Sequence, residues 1–226
     1  MQSGRARGSL TAAVLLAVWD AVLVTQTLTP VEEQLLRCAL DGTVLDLLSP
    51  DSDPNTMPTW GPSRQIRAGV LRDLLLGRLS DAPLDPRGVH LRGAVIADRV
   101  NLTSCLITVP LKLTTCRLDL GLTACDARIP TLELSGSRLT GRDEPALHAD
   151  SLIIDGNLLL DEGFTATTHS EMGAVRLLGA RIGGQFGMPG ATLTNDTGPA
   201  LHADLLAVEG SMFLGQGFTA TANSER

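Results

Sequence analysis

Four consecutive stretches decide how this chain is read: PRGVHLRGAVI (86–96), ADRVNLTSCLI (97–107), TVPLKLTTCRL (108–118) and DLGLTACDARI (119–129). Each has the form xxxΦxΦxxsxΦ, with Φ apolar and s small. A ten-residue variant follows, PTLELSGSRL (130–139), and the pattern returns in GAVRLLGARI (173–182) and GGQFGMPGATL (183–193). The small positions are Ala94, Cys105, Cys116, Ala127, Ser137, Ala180 and Ala191. The closing positions are Ile96, Ile107, Leu118, Ile129, Leu139, Ile182 and Leu193. A spacing of two keeps two side chains on one face of a short strand. The longer spacings take the chain round a corner. Each eleven then makes two sides of a square, and two elevens make a coil of about 22 residues, whose apolar side is buried only by stacking on its neighbours. The small residue before each closing one suits a narrow interior.

The expected fold is mainly β: a parallel, right-handed, quadrilateral β-solenoid over 86–226. A second periodicity overlies it. Pro145–Glu171 and Pro199–Glu225 agree at 16 of 27 positions, and each copy carries His-x-Asp: His148 with Asp150, and His202 with Asp204. Two equivalent copies point to wall rather than to one chemical site, and to histidines held in structural hydrogen bonds. With coils of about 22 residues, a 54-residue offset is close to two and a half coils, which turns the two histidines toward different sides.

Upstream, the period is that of helices. LTPVEEQLLRCALDG (28–42) has Thr29 as cap, Pro30 in the first turn, Glu32 completing a T-x-x-E box and Gly42 as stop. SRQIRAGVLRDLLLG (63–77) places Ile66, Val70, Leu71, Leu74 and Leu75 on one face, Arg64, Arg67 and Arg72 toward the other, and ends at Gly77. The domain reading is an apolar extension over 1–28, a small helical region and linker over 29–85, and the solenoid over 86–226. The extension has Arg5 and Arg7 before an apolar run, as a secretory signal does, but Asp20 interrupts that run and no small-x-small cleavage site follows. A membrane anchor over 10–28 and a start site further downstream are the other readings.

A [small]-x-[Leu/Ile] step about every five residues resembles the pentapeptide-repeat β-solenoids, with one extra residue in every second step. TWGPSRQIRAGVLRDLLLG (59–77) followed by DPRGVHLRGAVIADRVNL (85–102) is similar to an actinobacterial group of such proteins. GAVRLLGARIGGQFGMPGATL (173–193) and GPALHADLLAVEGSMFLGQGFTAT (198–221) match that group's longer repeat. The resemblance spans roughly 28–226. Members often carry the label oxidoreductase or membrane-associated oxidoreductase. The resemblance brings no motif that would justify the label and no catalytic residue to this chain.

Composition narrows the function classes. Aromatic residues make up 3% and Tyr is absent, so stacking platforms for bases are scarce. The net charge of −7 opposes non-specific phosphate binding. Cys38, Cys105, Cys116 and Cys125 form no C-x-x-C pair and read as reduced thiols of a cytoplasmic protein. Gly183, Gly184, Gly187 and Gly190 do not make a dinucleotide fingerprint; they read as corner glycines that supply unusual backbone angles. Asn101-Leu-Thr and Asn195-Asp-Thr match the glycosylation triplet, which matters only in a secreted eukaryotic context. No catalytic, cofactor-binding or metal-binding residue is assigned, and no cofactor is expected.

The expected role is that of a non-enzymatic scaffold that binds a protein partner. The outward residues Arg99, Lys112, Arg117, Arg128 and Arg138 would present charge, and RDE (142–144) and TTHSE (167–171) would form protruding loops. A membrane-associated oxidoreductase is the alternative, on the label alone. A DNA mimic is a third reading, weakened because those cations interrupt any acidic stripe; no nucleic-acid partner is expected. The second copy of the long repeat is not followed by a further step, so the stack is expected to be a truncated one whose open C-terminal end favours self-association.

Overall fold

The computed structural model describes residues 27–48 and 54–223. Helix α1 (Pro30–Asp41) and strand β1 (Val44–Asp46) come first, and helix α2 (Ala68–Leu75) follows. Then the chain winds through short parallel strands on four faces. β2 (Val89–Arg92) lies on the first face, β3 (Val95–Ile96) on the second and β4 (Val100–Asn101) on the third. The next coil repeats the circuit with β5 (Leu111–Thr114), β6 (Arg117–Leu118) and β7 (Leu122–Thr123), and adds β8 (Arg128–Ile129) on the fourth face. All pairings between coils are parallel. Among the described residues the four sheets contain seven, six, five and four strands. This is the quadrilateral solenoid expected from the elevens.

The packing follows the pattern position by position. All seven small residues and all seven closing residues are buried. Val89, Leu111, Leu132, Leu158, Phe186 and Met212 stand one above another on the inner side of the first face. Each corner between the first and second faces, and between the third and fourth, bends through a left-handed residue placed ahead of an inward side chain. Ser104, Thr115, Asp126, Ser151 and Leu205 do this with φ between 50° and 59°.

The coils are not of constant length. Down the first face the register steps from Val89 to Leu111 and Leu132, then to Leu158, Phe186 and Met212. The first two steps are as short as two elevens, or an eleven and a ten, require; the three later ones are longer. Most of the added residues enter at the corner between the second and third faces, as loops following the strands Arg138–Thr140, Thr165–Thr168 and Thr192–Asn195. Two buried polar side chains at paired positions hold these loops. The Thr168 hydroxyl lies 2.6 Å from the Glu144 carbonyl and 3.0 Å from that of Arg142, and Asn195 Nδ2 donates to the carbonyls of Ser170 and Pro199 at 2.7 and 2.9 Å. Loop carbonyls that would otherwise be buried without partners are thereby satisfied. The stretches 142–144 and 169–171 belong to this ridge, whereas Thr167 and Thr168, expected in the second loop, end the strand Thr165–Thr168 instead of protruding.

The N-terminal cap has the expected helices with two corrections. α1 carries the full Thr29–Glu32 capping box and ends in left-handed Gly42. The second helix, however, starts at Ala68 rather than Ser63. Pro62–Arg64 is a 3-10 turn, and Gln65 bridges Val95, with the Ile66 amide donating to the Val95 carbonyl at 2.9 Å. The chain in front of α2 is used as a strand because it lies over the open edge of β3. The second correction is Arg67, which does not point away from the core elements. Its Nε and Nη2 grip both oxygens of Glu32, its own amide donates to Glu32 Oε1 at 3.0 Å, and Nη2 also reaches the Thr27 carbonyl. Glu32 is 1% exposed. Burial alone would raise its pKa, but the Arg67 guanidinium and the amides of Thr29 and Arg67 hold it at about 2. The clamp joins the start of α1 to the start of α2. β1 was not foreseen; it extends the first face by pairing with β2 in register.

The expectations for residues 1–26 lie outside the described residues. No helix among the described residues is long and apolar enough to cross a membrane.

Candidate functional site

The two His-x-Asp copies share one face. His148 pairs with Arg176, and Arg176 with His202, on the third face. The expectation of different sides fails because the late coils are longer than the elevens imply. One coil runs from His148 to Arg176 and the next from Arg176 to His202, so the copies are two whole coils apart. The result is an outward column of Thr123, His148, Arg176 and His202. Asp150 braces it: Oδ2 accepts from Arg176 Nε at 2.8 Å and lies 3.3 Å from His148 Nε2, while Oδ1 accepts from the Leu178 amide. Arg176 Nη1 lies 3.0 Å from His202 Nδ1, and His202 Nε2 lies 3.2 Å from Asp204 Oδ2. A guanidinium only donates. His202 Nδ1 is therefore the acceptor, and the ring proton sits on Nε2, facing Asp204. Both histidines are held by hydrogen bonds along the column.

The loop ridge lies beside this column. Arg142, Asp143 and Glu144 are exposed, as are His169, Glu171 and Met172 in the next coil. Arg99 anchors the ridge from below. Its Nη1 donates to Thr123 Oγ1 at 2.9 Å, and its Nη2 donates to the Pro145 carbonyl at 3.0 Å and lies 3.1 Å from Glu144 Oε2. Burial pulls the Arg99 pKa down, against the pull of Glu144. His169 Nδ1 lies 2.9 Å from Asp196 Oδ2, which links two successive loops.

A concavity of about 560 Å³ runs along the first face past Val44, His90, Lys112, Glu133 and Leu159. These side chains form one outward column. Lys112 pairs with Glu133 at 3.2 Å. Burial, and then the Lys112 charge, lower the pKa of His90. Of the cations expected to project outward, most are engaged. Arg128 pairs with Asp155 at 2.8 Å, and Arg117 donates to the Met57 and Pro58 carbonyls at 2.7 and 2.9 Å.

The four cysteines are free thiols. Cys116, fully enclosed, has its pKa pushed up to about 12 by burial, and burial raises that of Cys125 as well. Both are poor nucleophiles as a result. Of the glycines, Gly183 and Gly184 are needed for a different reason from the one expected. Their backbone angles are ordinary, but a Cβ on Gly183 would lie 2.4 Å from the Asp155 carbonyl oxygen, and one on Gly184 2.8 Å from that of Gly156. Gly190, with φ 70°, is a true corner glycine.

Comparison with family models, with curated proteins and with solved structures returns no match.

Proposed function

We propose that this chain is a non-enzymatic, protein-binding solenoid scaffold of the pentapeptide-repeat-like kind, working in the cytoplasm. The observation that carries the reading is the way polar groups are arranged. They stand in columns along the stack and on a ridge beside it, several of them hydrogen-bonded to the coil above or below, rather than converging on one reacting point. The ridge offers Arg142, Asp143, Glu144, Glu171 and Met172 at the surface of a hydrogen-bonded wall. Such a wall suits recognition of another protein, because its loops lose little freedom on binding.

The test compares the intact chain with a variant in which 142–144 and 171–172 are replaced by Gly and Ser. Both are immobilised and used to capture proteins from native lysate. The reading expects a partner that is retained by the intact chain and lost from the variant. Equal capture by both, or a visible-range chromophore that stays with the purified chain, would count against it.

A further inference from the structure

On the second face the late coils carry a regular array. The strands Thr165–Thr168, Thr192–Asn195 and Thr219–Ala222 pair in register along their whole length. Each begins Thr-x-Thr, and the middle residues Ala166 and Leu193 point inward and are buried. The outer side is therefore a grid of two columns, Thr165/Thr192/Thr219 and Thr167/Thr194/Thr221. The hydroxyls of Thr167, Thr194 and Thr221 make no hydrogen bond within the described protein. Thr165 Oγ1 is enclosed and has no protein partner, while Thr219 Oγ1 donates to Thr192 Oγ1 at 3.2 Å. No charged side chain stands within the grid.

We infer that this array is a binding surface for ice, an ordered lattice of water, separate from the protein-binding ridge. Three physical features carry the inference. First, the spacing is set by backbone hydrogen bonding. Threonines are ~4.8 Å apart along each column and ~6.7 Å apart across a strand, close to the two oxygen repeats on the prism face of hexagonal ice. Second, threonine is stiff. Branching at Cβ restricts χ1 in a strand, so the hydroxyls and methyls are already ordered and little side-chain freedom is lost when a lattice forms against them. Third, the chemistry of the grid suits a water lattice better than a protein. Its second column offers the unpartnered hydroxyls of Thr167, Thr194 and Thr221, which need water, and the grid has neither the large aromatic anchors nor the charges that give protein interfaces their affinity.

The arrangement also confines the site. Further toward the N-terminus the same face carries Arg117 and Arg138 in the column occupied later by Thr165, and Arg117 is covered by the segment containing Met57 and Pro58. The uncharged grid begins only where those cations end.

The experiment grows an ice front slowly through a solution of the full chain, dye-labelled at its amino terminus, and measures the fluorescence taken into the ice. Wild type is expected to enter the ice. Thr194→Lys, which puts a flexible cation into the centre of the grid, is expected to be expelled with a labelled control protein. Thr194→Ser, which keeps the hydroxyl and removes the methyl, is expected to enter less than wild type. Ile153→Lys, on the opposite fourth face, is expected to enter as wild type does. Circular dichroism confirms that each variant is folded, and Thr194→Ser carries the comparison if the Lys variant is not. Exclusion of wild type from the ice, or equal entry of wild type and both Thr194 variants, would overturn the inference. So would sedimentation showing that wild type is a dimer that Thr194→Lys converts to monomer, since the grid would then be a contact between copies of the chain.

Discussion

Replacing Glu32 by Gln should loosen the N-terminal cap by a calculable amount. The Glu32 carboxylate accepts four hydrogen bonds, from Arg67 Nε, Arg67 Nη2 and the amides of Arg67 and Thr29. Glutamine has one oxygen for them and turns an amide group toward donors. It also leaves the Arg67 charge without its counter-ion. The native carboxyl titrates at about 2 against an ordinary value of 4.5. At ~1.4 kcal/mol per pKa unit, that shift amounts to about 3.5 kcal/mol, which agrees with the ~3–5 kcal/mol lost when one partner of a buried pair is removed. The sign follows from linkage. A carboxyl whose folded pKa is depressed contributes its stability above the ordinary value and loses it as pH falls toward the folded value. Wild type should thus lose about 3 kcal/mol from this site between pH 5 and pH 2, and Glu32→Gln should lose nothing from it. Urea unfolding followed by Trp60 fluorescence, in a Trp19→Phe background, reports on the cap. Pairing Glu32→Gln with Arg67→Met should recover part of the loss, because no buried charge is then left over. Equal stability of wild type and Glu32→Gln at pH 7 would refute the reasoning, as would the same acid dependence in both.

Four further outcomes are expected. Cys116→Leu should overpack the narrow interior and cost ~1–3 kcal/mol, with Cys116→Ala much milder; denaturant midpoints distinguish them, and native Cys116 should resist maleimide at pH 8 until the chain unfolds. Leu205→Gly should raise the melting temperature, since Leu205 is held at φ 59° with 85% of its surface exposed and a left-handed backbone costs a Cβ-bearing residue ~1–2 kcal/mol. Gly184→Ala should lower the melting temperature by forcing two coils apart, because its Cβ would lie 2.4 Å from Asn157 Oδ1 as well as against the Gly156 carbonyl. His90 has a folded pKa below its ordinary value, so the unfolded chain takes the proton first and stability falls as pH drops below the ordinary histidine range; His90→Gln should flatten that part of the stability profile in a pH series of melts.

The solenoid was legible because its core is written at nearly every inward position. Val89, Leu91, Ala94 and Ile96 repeat as Leu111, Leu113, Cys116 and Leu118 one coil on. The capping box of α1 was legible because its parts, Thr29 to Glu32, are adjacent in the chain. What was missed depends on contacts between distant segments. Arg67 looked like a solvent-facing cation because its partner, Glu32, lies a helix and two loops away. Some left-handed corners carry glycine, as at Gly93, Gly136, Gly179 and Gly190, but others carry Ser, Thr, Asp or Leu, so residue type alone does not mark a corner; the inward side chain that follows it does. The shared face of His148 and His202 was hidden by the loops at the second corner. These loops add residues without adding pattern, so a coil length taken from the regular elevens was too short. Thr168 and Asn195 make those loops possible, yet they resemble any polar residue at a strand end.

The long repeat has a consequence for how this chain can change length. Its unit of copying spans two coils, so the unit written in the sequence is twice the unit that stacks. The column on the third face alternates accordingly, with histidine, arginine and histidine in successive coils. Removing a single coil, from His148 through Val175, would leave every face aligned and every inward row intact, yet it would delete the Asp150 brace and leave Arg176 directly above Thr123. Removing both coils, from His148 through Leu201, would instead seat His202, with its own aspartate, where His148 had been. Lengthening or shortening by pairs of coils keeps the order of charges along the wall, whereas a single coil preserves the shape and scrambles the message.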